Sequence, residues 1–153
     1  MKLTSEQKTV DVYTRLRSIN DECFYDIDNP PVSEFLMRFE QGDVFVQSKF
    51  SGPTLEEIVA YAIVDTANPS AHLWEIATLP TYRGYGYATD LLNEIEKEYS
   101  GKKFGITLTV RVDNPTAQVL YLKNGYRVES VLHEYFGPET NGLYMRKEFY
   151  AKH

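Results

Sequence analysis

The residues best placed to do chemistry lie together in Pro80-Thr81-Tyr82-Arg83-Gly84-Tyr85-Gly86-Tyr87-Ala88, between a strand-like run and a strongly amphipathic one. Gly84, Gly86 and the small Ala88 let the backbone curl and approach a ligand closely. Free N–H groups at the start of the following helix would face whatever lies over its N-terminus, and the helix dipole favours an anion there. Arg83 adds a charged donor. The segment Arg83, Gly84, Tyr85, Gly86, Tyr87, Ala88 and Thr89 therefore has the makings of a pyrophosphate cradle, the alternative being a plain glycine-containing turn. Two other phosphate loops are excluded. The dinucleotide fingerprint needs a glycine where Thr89 stands, and the nucleotide P-loop needs a Gly-Lys-Ser/Thr that is absent.

Arg83-x-x-Gly86-x-Ala88 resembles the acetyl-CoA motif of the GNAT superfamily of N-acetyltransferases, Arg/Gln-x-x-Gly-x-Gly/Ala. Further on, Asn114-x-x-Ala117-x-x-Leu120-Tyr121-x-x-x-Gly125-Tyr126 resembles the superfamily's later motif, at about the expected distance. The resemblance runs from about Val44 to Phe149, and more loosely over the N-terminal helices. It implies one α/β domain over residues 1–153, with a mixed central sheet, helices on both faces, and a splay between the Leu73–Leu79 and Ile106–Val112 strands. The pantetheine arm of acetyl-CoA would enter that splay, bonded by backbone near Ala77 and Thr78, while Asn114 holds the cofactor at the later helix. Almost nothing precedes the first helix, so the superfamily's first strand is expected to be very short or missing.

Direct acetyl transfer needs a neutral amine, stabilisation of the oxyanion and a proton for the departing thiolate. Backbone N–H groups of the Leu73–Leu79 strand can meet the second need. Tyr121 matches the superfamily's general acid, and a phenol beside the sulfur can supply the third. The alternative for Tyr121 is a core aromatic on the helix face shared with Ala117. Superfamily members that acetylate protein N-termini often carry Glu or His five residues before the motif asparagine, whereas Thr109 stands there. Candidate bases are then His72 and Glu75 on the neighbouring strand, His72 first because an unperturbed imidazole titrates near neutral pH.

A weak base bears on the acceptor. An α-amine is about 10% neutral at about pH 7, whereas a lysine is neutral at only ~0.04%. His133-Glu134-Tyr135-Phe136 followed by Leu143-Tyr144-Met145-Arg146 also resembles the paired-aromatic and closing strands of ribosomal-protein and peptide N-terminal acetyltransferases. In that subgroup the paired aromatics (here Tyr135 and Phe136) and the helix-to-helix loop grip the peptide. The loop over residues 21–28 is acidic and aromatic, and Phe24, Tyr25 and Asp26 could hold an ammonium group and an apolar side chain, if they are not simply solvated. The resemblance leaves three functions open: a peptide or protein N-terminal acetyltransferase, an acetyltransferase of small amines, and a non-catalytic acetyl-CoA-binding module.

These residues need a scaffold, and the hydrophobic periodicity supplies one. Ser5 to about Asn20 reads as a helix with Val10, Tyr13, Leu16 and Ile19 on one face, and Val32 to Glu40 as a second showing Phe35, Leu36 and Phe39. Strands follow at Val44 to Phe50, Ile58 to Val64 and Leu73 to Leu79. A helix shows Ala88, Leu91, Leu92, Ile95 and Tyr99, Ile106 to Val112 alternates as a strand, and Pro115 opens a helix over Thr116 to Lys123. Strands at about Tyr126 to Tyr135 and Leu143 to Tyr150 complete ααβββαβαββ.

Composition bounds the rest. With 16 Lys and Arg against 22 Asp and Glu the net charge is −6, which argues against nucleic acid as a partner. Cys23 is the single cysteine, read as a small buried hydrophobe, and three scattered histidines suggest no metal site. Trp74 is expected in the core or in the wall of the cleft. The polar start and the lack of a long apolar run point to the cytoplasm and to no membrane association, with a monomer or a homodimer expected.

Overall fold

A run as apolar as Ile58-Val59-Ala60-Tyr61-Ala62-Ile63-Val64 is stable only if both of its faces are covered. In the computed structural model, which describes residues 1–24 and 29–149, this run is strand β2 (Ile58–Asp65), with only Asp65 not fully buried. Its side chains alternate between two cores. Ala60, Ala62 and Val64 join Phe45, Leu91 and Ile95 on one face of the sheet. Val59, Tyr61 and Ile63 join Leu16, Ile19, Phe35 and Phe39 on the other.

The chain runs α1 (Val10–Cys23), α2 (Val32–Gln41), β1 (Asp43–Ser48), β2, β3 (Ala71–Thr78), α3 (Tyr87–Tyr99), β4 (Gly105–Arg111), α4 (Pro115–Lys123), β5 (Arg127–Leu132) and β6 (Gly142–Glu148). The order ααβββαβαββ is the one expected. The strands form one mixed sheet, β1-β2-β3-β4-β6-β5, antiparallel throughout except for the β3–β4 pair. Helices α1 and α2 cover one face, and α3 and α4 the other. Ahead of α1, Lys2 and Phe45 form an isolated antiparallel bridge, flanked by Leu3 N–H to Val44 O at 2.8 Å and Val46 N–H to Met1 O at 2.9 Å.

Helix α1 starts later than its periodicity suggests. Ser5–Gln7 form a short 3-10 turn, and Thr9 caps the true helix by accepting from the Val12 amide at 3.3 Å. The buried stripe is consequently Val12, Leu16, Ile19 and Asn20, and Val10 is exposed. In α2, Phe35 and Phe39 are buried and both contact the Tyr13 ring, while Leu36 faces solvent.

Two features of β3 create the site. It pairs with β4 only at Ala71–Ile106 and His72–Thr107, and beyond those residues the strands diverge, which is the expected splay. Opposite β2, Ile63 faces Glu75 and Val64 faces Leu73, so Trp74 is one residue extra, a β-bulge. The bulge reverses the facing of the strand. Ala71 and Leu73 lie in the α3-side core, whereas Ala77 lies in the α1/α2-side core. Trp74 and Glu75 both turn to the α1/α2 face, where the half-buried Trp74 packs against the core and Glu75 meets side chains of α1 and α2.

Candidate active site

The splay opens into a cleft of about 1090 Å³ that reaches from the α3 N-terminus to the α1/α2 face. At its α3 end Gly84 and Gly86 are left-handed, with φ of +85° and +88°, a conformation that glycine adopts readily. A Cβ at either would meet nothing within 4 Å, so the space above them is open to a ligand. Gly86 is also the N-cap of α3 and offers no side chain to its first-turn amides. Gly84, Gly86, Tyr87, Ala88 and Thr89 line the cleft, but Tyr85 does not and is 75% exposed.

Arg83 turns inward: its Nε donates to Thr78 O at 3.2 Å and its Nη2 lies 3.5 Å from Cys23 Sγ. The Cys23 thiol donates to the same carbonyl at 3.3 Å. Cys23 is half-buried in the cleft wall rather than enclosed in the core, and burial pushes its pKa up, opposed by Arg83. Along β3 the amide of Leu79 donates to Val59 O, so by alternation the backbone of Ala77 also faces β2 while that of Ile76 and Thr78 faces the gap. Asn114 is the N-cap of α4, its Oδ1 accepting from the Ala117 amide at 3.1 Å. Uncapped amides, an open glycine turn and an unpaired strand edge fit a pyrophosphate with a pantetheine-like arm.

Tyr121 projects from α4 beneath the gap. It is buried, packs against Tyr126 at 5.6 Å between ring centroids, and its hydroxyl has no hydrogen-bond partner among the described residues. Burial raises its pKa, which keeps the phenol protonated. Because Ala71 and Leu73 point into the α3-side core, His72 lies on the opposite face, as do Thr107 and Thr109 of β4. His72 Nδ1 is 2.8 Å from Thr107 Oγ1. Burial lowers the His72 pKa; Asp65 acts in the opposite sense, and Arg38 reinforces burial.

Glu75 is held far more tightly. Its Oε1 accepts from Asn20 at 2.7 Å and from the Tyr61 hydroxyl at 2.9 Å, and its Oε2 pairs with Arg38 at 3.2 Å. Burial raises its pKa against those donors. Arg38 also pairs with Glu34 at 2.8 Å and lies over Trp74, 5.8 Å from the ring centroid. Trp74 is thus cleft wall, as expected. Asn20, Tyr61 and Arg38 carried no sequence signal, since their partner is fixed only by the bulge.

Toward the α1/α2 side the cleft is bounded by Phe24, Pro30, Glu34, Tyr135 and Phe136. Tyr135 and Phe136 meet edge to face at 4.9 Å, and Arg111 lies 5.9 Å from the Phe136 ring centroid. Tyr25 and Asp26 lie outside the described residues. Among the described residues no group of three His, Cys, Asp or Glu side chains could hold a metal ion, and no helix is long and apolar enough to cross a membrane.

A parallel strand pair that parts beside a helix N-terminus, with a protonated tyrosine below the gap, is the architecture of a CoA-dependent acyltransferase. The sequence model of the Acetyltransferase (GNAT) family matches residues 13–126, and the chain belongs to that family. It is similar to the [ribosomal protein bS18]-alanine N-acetyltransferase of Haemophilus influenzae, 26% identical over 136 residues, covering 86% of this chain and 91% of that protein. The fold matches the ribosomal-protein-S18-alanine N-acetyltransferase of Escherichia coli with a TM-score of 0.80 at 18% identity, over 100% of this chain and 94% of that one. It also matches NAA60 of Arabidopsis thaliana in complex with a bisubstrate analogue, with a TM-score of 0.78 at 20% identity over 92% and 94% of the two chains.

Proposed function

We propose that this chain transfers acetyl from acetyl-CoA directly to the α-amine of a peptide or protein N-terminus. The observation that carries the proposal is the two-faced gap: the phosphate cradle and Tyr121 belong to the α3/α4 face, while His72, Trp74 and the aromatic mouth belong to the α1/α2 face. Two reactants can therefore approach through one opening from opposite sides. Similarity to the ribosomal-protein alanine acetyltransferases supports an α-amine acceptor.

When bound, acetyl-CoA supplies an activated acetyl thioester. Gly84, Gly86, Ala88 and Thr89 would hold its pyrophosphate, with Arg83 swinging from Thr78 O to reach it, and Asn114 would flank it. The gap-facing backbone of Ile76 and Thr78 would bond the arm and steady the carbonyl oxygen as it gains charge. His72 accepts the proton that the attacking amine loses, and Tyr121 donates one to the leaving sulfur. Glu75 holds Arg38 against Trp74 and shapes the acceptor wall, and Phe24, Tyr135 and Phe136 contact the first residues of the peptide. All these groups come from one chain, so a monomer or a homodimer suffices. The net charge of −6 gives nucleic acid no foothold, and the single cysteine suits a cytoplasmic setting.

The test is acetyl-CoA-dependent thiol release against short peptides with free or blocked N-termini, alongside polyamines, free amino acids and aminoglycosides. Turnover confined to free-N-terminal peptides is expected. Turnover on small amines alone would replace the peptide acceptor, and acetyl-CoA binding without turnover on any amine would point to a non-catalytic module.

A further inference from the structure

We propose that Thr107 is a positioning residue whose hydroxyl fixes the tautomer of His72 and leaves the imidazole Nε2 lone pair open toward the acceptor. The proposal deepens, and rests on, the assignment of His72 as base.

Thr107 lies on the polar face of β4, whose Ile106, Leu108 and Val110 enter the α3-side core, yet it is itself only 4% exposed. It faces His72 in the last β3–β4 pair before the strands part, so sheet pairing pins both backbones. The Thr107 Oγ1 lies 2.8 Å from His72 Nδ1 and 3.4 Å from the carbonyl oxygen of Ala71. A carbonyl can only accept, and the hydroxyl has one proton to give. With that proton directed to Ala71 O, the hydroxyl oxygen accepts from Nδ1–H. A neutral imidazole carries one N–H, so Nε2 keeps its lone pair. No described residue hydrogen-bonds Nε2, and His72 lines the cleft.

The charged groups around the ring do not replace this contact. Asp65 from β2 faces it in the β2–β3 pairing. Arg38 from α2 acts on it through space but is bound to Glu34 and Glu75. Arg146 from β6 lies opposite Thr107 and is engaged by Glu129 and Ser70. Among the described residues, only Thr107 hydrogen-bonds the imidazole. Without that hydroxyl the ring is free to put its proton on Nε2, the atom that must receive one from the amine.

The tautomer can be read directly from the ¹⁵N shifts and long-range ¹H couplings of the His72 ring, recorded above its titration. The wild-type chain and Thr107→Ser should both give the Nδ1–H pattern, and Thr107→Val, which keeps the β-branched shape, should move toward Nε2–H. In parallel kcat/KM for a peptide acceptor should fall about tenfold in Thr107→Val, the equivalent of one hydrogen bond, and recover in Thr107→Ser. Acetyl-CoA affinity should stay within about twofold. The acidic limb of the rate should move to lower pH in Thr107→Val, because the imidazolium loses more than the neutral ring when its Nδ1–H acceptor goes. An Nε2–H pattern in the wild type, or an unchanged pattern and rate in Thr107→Val, overturns the proposal. An unchanged rate for His72→Ala would instead remove the base assignment, and the ring signal of the wild type would still decide the tautomer.

Discussion

His72, Glu75 and Tyr121 line one cleft, and burial acts on all three by penalising their charged forms. For His72 that means a pKa below its ordinary 6.5, so the neutral, proton-accepting ring persists to lower pH and kcat should keep its acidic limb below that value. For Tyr121 it means a phenol that stays protonated through the physiological range. Glu75 differs because its carboxylate already receives Asn20, Tyr61 and Arg38. His72→Ala should therefore cost about 100-fold in kcat and abolish the acidic limb, and Tyr121→Phe about 100-fold without weakening acetyl-CoA binding. Glu75→Gln should stay within about fivefold. A steady-state pH series on the three variants checks this, and a 100-fold loss in Glu75→Gln together with the limb would exchange the roles. Tyr121 was legible in the sequence because the Asn114-to-Gly125 spacing carries it. Thr107 was not, because its significance depends on which residue the parallel pairing sets opposite it.

At the scale of elements, the strand-to-helix turn and the β3 bulge do most to build the cleft. The turn was readable, since glycines before an amphipathic helix have a direct backbone consequence. The bulge was not: nothing in Leu73-Trp74-Glu75-Ile76-Ala77-Thr78-Leu79 marks one residue as surplus, and only the offset against β2 shows that Trp74 is extra. The start of α1 lies later than the periodicity from Ser5 suggests for a related reason, since Thr9 provides the cap that the helix uses. Gly86 separates ligand effects from folding effects. A Cβ there meets no protein atom, so Gly86→Ala should cost only about 1 kcal/mol of stability from its left-handed φ of +88°. Acetyl-CoA affinity should nonetheless fall at least about tenfold, because the methyl group occupies the approach to the pyrophosphate. Thermal unfolding and titration calorimetry on the same variant would show the split, and undiminished affinity would move the phosphate site elsewhere.

Across the whole molecule, two cores clamp one sheet and keep its central opening from closing. Phe45, Leu91 and Ile95 hold the α3 side, and Leu16, Ile19 and Phe35 the α1/α2 side, all fully buried. The gap is the seam between parallel neighbours that pair at only two positions, and in the proposed reaction each face delivers one reactant to it. With a neutral imidazole as the base, such a site favours an amine that is partly neutral before it arrives. That favours an α-amine over a lysine side chain. The most direct measurement is to incubate the protein at neutral pH with acetyl-CoA and a peptide bearing both a free N-terminus and an internal lysine, then locate the acetyl group by fragment mass spectrometry. A single acetyl on the α-amine is predicted. Acetylation on the lysine, with the α-amine left free, would contradict the account.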